Sequence, residues 1–208
     1  MNNKQKITPA IMTAIFLSII FTACKTTQKP EVASNLSILI LDENDRAVQD
    51  YNITLAHTKK NEKQESLETT NQTGLCVFYD LPPDEYILSG KKSGYTQMPV
   101  QPLKLDNNSE LYCFRVYSAD YIFNYTEQLY DDEQFQKALE LLESICTERN
   151  PALQNTVSFY KAYGYAKLDQ KEKAGLELQK LKEFDNPAFE TSRYCEAIEK
   201  MIFANQKD

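Results

Sequence analysis

The sequence has no tryptophan, one histidine and only five glycines among its 208 residues. Because His57 is the only imidazole, a Ser/His or Cys/His nucleophilic site would have to rest on that one position. Its place in a predicted strand favours an exposed edge residue over a general base. The five scattered glycines exclude the G-x-G-x-x-G and Walker loops that cradle phosphates. The sequence therefore predicts no catalytic residue, no cofactor and no enzymatic activity.

The five cysteines form no C-x-x-C pair, and no second histidine stands near them. A zinc site is therefore improbable, and no metal ligand is predicted. Cys76 and Cys113 both fall on predicted strands, so they could form a disulfide if those strands are neighbours. Buried free thiols are the alternative.

Clustered basic residues are also lacking: 30 acidic residues outnumber 23 lysines and arginines, and the formal net charge is −7. A nucleic-acid footprint needs lysine and arginine gathered on one surface. Nucleic acid is therefore excluded as a partner. An acidic surface also repels anionic lipid headgroups, so any attachment to a membrane has to come from another source.

The first 24 residues supply such an attachment. Lys4 and Lys6 precede an uncharged apolar run over residues 7–22, which ends at Ala23 and Cys24. This order resembles the signal peptide of a bacterial lipoprotein, with Phe21 where the family prefers leucine. The resemblance implies that residues 1–23 are removed and that Cys24 carries the lipid. The alternative is a retained transmembrane helix, since about 17 apolar residues can just span a bilayer.

Cleavage before Cys24 removes two lysines and no acid, so the formal net charge goes from −7 to −9. Residues 24–34 then form a polar tether. Two or three acyl chains anchor a protein stably where one chain does not. We expect a lipid-anchored protein of the cell envelope, on the periplasmic face or at the cell surface.

Residues 35–118 show short strands separated by turn residues, which is typical of an antiparallel β-sandwich. Residues 36–41 and 75–79 are short apolar segments, and Ile53 and Leu55 share one face of the segment 51–58 by period two. The segments Leu81–Tyr86 and Lys91–Tyr95 follow, and they read L-P-P-D-E-Y and K-K-S-G-Y. Together these elements resemble the carboxypeptidase regulatory-like, transthyretin-like β-sandwich family. Asp45 and Asp84 stand where that family has glycine. The resemblance implies an accessory domain without an active site, which acts as a spacer or presents a ligand.

Residues 119–208 have helical periodicity and an internal offset of 36 residues, which signals stacked helical hairpins. The residues that match at this offset are Ala138 with Ala174, Leu142 with Leu178, and Asn150-Pro151 with Asn186-Pro187. The two segments resemble degenerate tetratricopeptide repeats, at 119–150 and 151–186, followed by a capping helix near 187–203. The predicted fold is thus multidomain, with an N-terminal antiparallel β-sandwich and C-terminal α-helical repeat hairpins.

In tetratricopeptide repeats the first helix of each hairpin lines a concave face. Applied to this sequence, the resemblance implies a peptide groove in which aromatic side chains bind a partner. The same aromatics could instead belong to the core. The candidate partner-binding residues are Phe123, Glu127, Tyr130, Phe159, Tyr163 and Lys167.

Two functions fit these features. The first is a non-enzymatic lipoprotein adaptor or scaffold, whose helical repeats bind a protein partner. The second is a glycan- or cell-wall-binding lipoprotein that uses the β-sandwich. Thirteen tyrosines suit sugar stacking but do not distinguish between the two functions.

Overall fold

The computed structural model describes residues 33–58, 65–106, 108–183 and 191–203. The predicted signal peptide (1–23), Cys24 and most of the tether lie outside the described residues. Within those described ranges, no helix is both long enough and apolar enough to cross a membrane.

In the described part of the chain, seven strands form two sheets. The first sheet has three strands in the order β4-β1-β7, and the second has four in the order β3-β2-β5-β6. The strands are β1 (Ser34–Leu41), β2 (Asn52–His57), β3 (Glu65–Thr69), β4 (Leu75–Leu81), β5 (Glu85–Lys91), β6 (Met98–Lys104) and β7 (Glu110–Arg115).

The sandwich is not purely antiparallel as the sequence predicted. Strand β7 runs parallel to the central strand β1, from Leu36 opposite Glu110 to Leu41 opposite Arg115. Parallel neighbours need a long connection between them, and here five strands intervene along the chain. The other pairings between strands are antiparallel.

One apolar core fills the space between the sheets, as the period-two alternation predicts. Leu36, Ile38 and Ile40 of β1 are fully buried, and they meet Ile53 and Leu55 of β2 in the same cluster. The intervening side chains of β1 are only partly buried and lie on the outer face. The alternation therefore sets which face of each strand enters the core.

The two aspartates that replace family glycines have different roles. Asp45 adopts a left-handed backbone with φ 60°, which aspartate tolerates better than most residues. Asp84 instead pairs with His57, with 3.1 Å between Nε2 and Oδ2. The ring of His57 also meets Tyr86 edge-on at 5.1 Å. The expectation that His57 is an exposed edge residue is thus wrong. Strand β2 lies between β3 and β5, and the side chains of Asp84 and Tyr86 cover the ring of His57.

After the sheets, the described residues form five helices: α1 (Ala119–Asp131), α2 (Phe135–Glu143), α3 (Pro151–Lys167), α4 (Lys171–Glu183) and α5 (Thr191–Phe203). Ser118 caps α1 by accepting a hydrogen bond from the backbone of Tyr121. Asn150 caps α3 in the same way through Leu153, and Pro151 occupies the first helical position, where its missing N–H costs nothing. Asn186 and Pro187 lie outside the described residues.

Each helix packs against the next along the chain, and α5 also contacts α3. Ile122, Leu142 and Val157 form a core among α1, α2 and α3. Leu178 and Ile198 belong to a second core formed by α3, α4 and α5. Helix α3 therefore has apolar neighbours on two sides.

The turn between β5 and β6 joins the sheets to the helices. The backbone N–H groups of Gly94 and Gln97 donate to the carbonyls of Cys146 and Ser144, at 3.0 and 2.8 Å, and Cys146 donates back to Tyr95 at 2.9 Å. This turn contains the K-x-G-Y element of the sequence. Residues from 33 onward form one compact unit.

Candidate functional site

The six candidate partner-binding residues lie on α1 and α3, whose aromatic side chains meet. Tyr160 of α3, which is not one of the six candidates, contacts α1 directly. Its ring stacks on Phe123 with 5.1 Å between centroids and 12° between planes. Its hydroxyl donates to the Glu127 carboxylate at 2.5 Å. Burial, and then the bond to Glu127, raise the pKa of Tyr160.

Tyr130 forms the second link between the two helices. Its hydroxyl donates to the backbone carbonyl of Tyr160 at 2.6 Å, and its ring lies 5.2 Å from the ring of Tyr163. Burial raises its pKa, so the phenol stays neutral. Gly164 makes this approach possible, because a Cβ atom there would lie 2.7 Å from the Tyr130 hydroxyl.

Phe159 and Tyr163 also pack against the core shared with α4 and α5. Phe159 meets Tyr160 edge-on at 5.7 Å. The Lys167 ammonium lies 5.5 Å from the centre of the Tyr163 ring, within the range of a cation–π contact.

These contacts link all six predicted residues into one strip, which we call the α1–α3 strip. It consists of Phe123, Glu127, Tyr130, Phe159, Tyr160, Tyr163 and Lys167. Its aromatic rings are half-buried, while Glu127 and Lys167 are exposed. The strip thus combines the two alternatives left open by the sequence: its rings pack between helices, and its charged groups face solvent.

One feature of the sequence could have indicated that α1 packs closely against this part of α3. The small residue Gly164 lies four positions after Tyr160 in α3, on the same helical face. A glycine inside a helix weakens the helix unless something needs the space, and here the space is filled by Tyr130 and Leu139. The 36-residue offset matches Phe123 with Phe159, so it does not select Tyr160.

A second group of aromatic residues was also missed. Tyr117 and Tyr121 are exposed, and their rings stack with 5.2 Å between centroids. Tyr125 continues the row at 6.4 Å from Tyr121. The spacing of four residues places Tyr121 and Tyr125 on one side of α1, and Tyr117 lies just before the N-cap of that helix.

The possible disulfide between Cys76 and Cys113 is not formed, and both thiols are free. The strands that carry them are not neighbours, because β1 lies between β4 and β7. Cys76 is buried in the sandwich core, whereas Cys113 is exposed. Burial raises the pKa of Cys76 to about 11, so this thiol is a poor nucleophile. In the part of the chain that the structure describes, no group of three potential metal ligands is present.

No known family model matches this chain, and no curated protein matches it. Solved structures show partial similarity. The Bacillus anthracis TIE protein is 16% identical, with a TM-score of 0.37, over 42% of this chain and 17% of that protein. The pilus 2b backbone protein of group B streptococcus is 16% identical, with a TM-score of 0.36, over 41% of each chain.

Catechol 1,2-dioxygenase from Pseudomonas arvilla C-1 is 9% identical, with a TM-score of 0.35, over 45% of this chain and 54% of the enzyme. The chain thus spans about half or less of the proteins that it resembles. At these TM-scores the similarities bear on neither activity nor partners. The fold is that of a β-sandwich protein with a C-terminal helical region, as the two sheets, their shared core and the helices that follow them show.

Proposed function

We propose that this chain is a non-enzymatic adaptor of the bacterial cell envelope, anchored by a lipid on Cys24, which binds a protein partner at its helices. The observation that carries the proposal is the α1–α3 strip. In this strip, aromatic rings that are fixed by packing stand beside an exposed acid and an exposed base. Rigid aromatic groups flanked by charged groups are the usual composition of a protein-binding hot spot.

The aromatic side chains of the strip are preorganised for binding. Tyr130 and Tyr160 are tied to backbone and carboxylate by short hydrogen bonds, so their rings lose little conformational freedom on binding. The exposed Lys167 ammonium lies within cation–π range of the Tyr163 ring. A peptide with an acidic residue near an apolar one fits this arrangement, because Lys167 supplies the positive charge and the rings supply the apolar contact.

The partner is to be found by crosslinking in cells, and the strip is then tested by substitution. Lys167→Ala removes an exposed charge that the fold does not need. We expect it to weaken binding about fivefold to tenfold, near 1 kcal/mol, with an unchanged melting temperature. Lys104→Ala is the matched control, because it removes an exposed lysine from β6. Equal weakening by both variants would mean that total charge, and not the strip, governs binding.

Phe159→Ala and Tyr163→Ala separate contact from packing. Truncating a contact residue costs binding on the order of 2 kcal/mol, whereas truncating a core aromatic costs roughly 3–5 kcal/mol of stability. Both rings pack against the second helical core, so we expect stability to fall and binding to weaken together. Normal binding by the folded fraction of both variants would place the partner elsewhere, with the sandwich as the next candidate.

The anchor has its own test. Cys24→Ser is expected to leave an unprocessed precursor and to abolish incorporation of labelled palmitate. A wild-type protein that incorporates no palmitate would refute the lipid anchor. It would leave the binding experiments on the α1–α3 strip unaffected.

A further inference from the structure

A polar cleft lies where the second sheet meets the segment between α2 and α3, away from the α1–α3 strip. It has a volume of about 620 Å³. Small-molecule sites in proteins commonly have volumes of about 300–1,000 Å³. Residues of β2 and β3 form one wall, and the β5–β6 turn and the residues before α3 form the rest.

Positive charge collects in this cleft, although the protein as a whole is acidic. Among the described residues that line it, Lys91, Lys92 and Arg149 stand against one acid, Glu148. The ammonium of Lys91 pairs with Glu148 at 2.5 Å, so Lys92 and Arg149 leave the cleft with a positive charge that the lining does not neutralise. The Lys92 ammonium donates to the carbonyl of Gln49 and lies 5.3 Å from the centre of the Tyr95 ring, so two groups beside the cleft orient it and part of its donor capacity is left for a ligand.

The same cleft contains a buried hydroxyl group that has no hydrogen-bond partner among the described residues. This is the Oγ atom of Ser93, in the turn whose Gly94 has φ 86°. Buried hydroxyls are nearly always hydrogen-bonded in native proteins, so one that lines a cleft calls for a ligand or a water molecule.

The remaining lining consists mostly of groups that both donate and accept hydrogen bonds. Asn52, Thr54 and Asn150 carry amide or hydroxyl groups. Asn52 and Asn150 each use their side-chain oxygen within the protein, which leaves their NH₂ groups as donors. Leu67 and Cys146 complete the lining, in which no described residue is aromatic, so we expect charge and hydrogen bonds to dominate recognition.

We propose that this cleft binds a small hydroxylated anion, namely a sugar that carries one carboxylate or phosphate group. Arg149 and Lys92 hold the anionic group by charge-assisted hydrogen bonds. Ser93, Thr54 and the two asparagine amides bind the hydroxyl groups. The site belongs to the sandwich and its junction with the helices, so it does not depend on the adaptor role.

Calorimetric titration of the full chain with four probes tests the proposal. The probes are glucuronate, glucose 6-phosphate, glucose and inorganic phosphate. We expect glucuronate or glucose 6-phosphate to bind with a Kd below about 1 mM, and at least tenfold more tightly than glucose or phosphate. The tighter of the two anionic sugars identifies the anionic group. Failure of both to bind at this level, or equal binding of glucose or of phosphate alone, overturns the proposal.

Variants locate the site. Arg149→Gln is expected to raise the Kd of the more tightly bound probe about tenfold, and Ser93→Ala is expected to raise it about threefold. Arg46→Gln is the matched control, because it removes the same charge from an exposed arginine in the turn after β1. Ser93→Ala removes a hydroxyl that stabilises nothing in the unliganded chain, so the variant should fold normally. An equal loss with Arg46→Gln, or full affinity with both cleft variants, overturns the assignment.

Discussion

The hydroxyl group of Tyr51 accepts a hydrogen bond from the backbone N–H of Met98 at 2.9 Å. The same hydroxyl donates to the carbonyl of Thr96, also at 2.9 Å. Tyr51 precedes β2 and Met98 begins β6, so one buried side chain fixes the end of the turn that holds the helices. Sheet and helices are therefore coupled through this phenol.

Tyr51→Phe removes these hydrogen bonds and the 3.2 Å contact of the hydroxyl with the Gly90 carbonyl, and it leaves the Met98 N–H buried without the hydroxyl as its partner. We expect the free energy of unfolding to fall by about 1–3 kcal/mol, measured by urea denaturation. Tyr112→Phe is the control, because the Tyr112 hydroxyl bonds to Glu110 near the surface. Its loss should stay within about 0.5 kcal/mol. An unchanged free energy of unfolding in Tyr51→Phe would show that the Tyr51 hydroxyl does not stabilise the turn.

Alkaline pH should act through the same residue. Burial raises the pKa of Tyr51 from 10.0 to about 12. The neutral phenol is the form that the fold favours, so its contribution is complete below pH 10 and is lost as the pH rises through 12. Burial also raises the pKa values of Tyr130 and Tyr160. Stability should therefore fall above pH 10 in wild type and fall less in Tyr51→Phe, as followed by denaturation at each pH. Parallel profiles for the two proteins would contradict this.

Thr126 of α1 is fully buried, and its hydroxyl has no hydrogen-bond partner among the described residues. Thr126→Val replaces that hydroxyl by a methyl group of similar size. We expect stability to rise by about 1 kcal/mol, because a desolvated polar group is removed. Thr156→Val is the matched control, since the Thr156 hydroxyl donates to Ala152 at 3.1 Å. That variant should lose a few tenths of a kcal/mol. A loss of stability at Thr126 would mean that its hydroxyl is satisfied.

Two helical glycines offer a paired test of the contact between α1 and α3. At Gly164 a Cβ would lie 2.7 Å from the Tyr130 hydroxyl and 3.1 Å from Leu139, whereas at Gly175 nothing lies within 4 Å. Gly175→Ala should stabilise by about 0.5–1 kcal/mol through helix propensity. Gly164→Ala should destabilise by about 1–3 kcal/mol, because the Tyr130 ring has to move. Thermal denaturation of both variants measures the difference, and a gain at both positions would refute the close packing.

Thiol labelling checks the free cysteines. In a Cys24→Ser chain, four thiols remain, and Cys113 alone among them is exposed. A maleimide should add once to the native protein and four times to the unfolded, unreduced protein, as read by mass spectrometry. Two additions to the unfolded protein would reveal a disulfide. Cys113→Ser should abolish the native reaction.

Much of the local structure is readable in the chain. The apolar run over residues 36–41 predicts a strand, and the structure has β1 there with Leu36, Ile38 and Ile40 on its buried face. Ala138 and Ala174, matched by the 36-residue offset, are both fully buried in helices. These patterns succeed because a strand or a helix must bury its apolar side whatever it packs against.

Several relationships depend on which distant segments become neighbours, and local patterns carry no information on that choice. His57 looks like an edge residue until β5 lies beside β2 and Asp84 reaches its ring. Cys76 and Cys113 are both on strands, yet β1 separates them.

The α1–α3 strip shows the same division. Helical periodicity placed Phe123, Tyr130 and Tyr163 on the correct helices, but it could not show that Tyr160 links them. That link depends on how α3 is rotated against α1, and the rotation follows from the close approach at Gly164. The sequence by itself determined the elements and their apolar faces, since these follow from contacts a few residues apart. The tertiary structure alone decided the strand order, the thiol positions and the α1–α3 strip, because each is a contact between segments far apart in the chain.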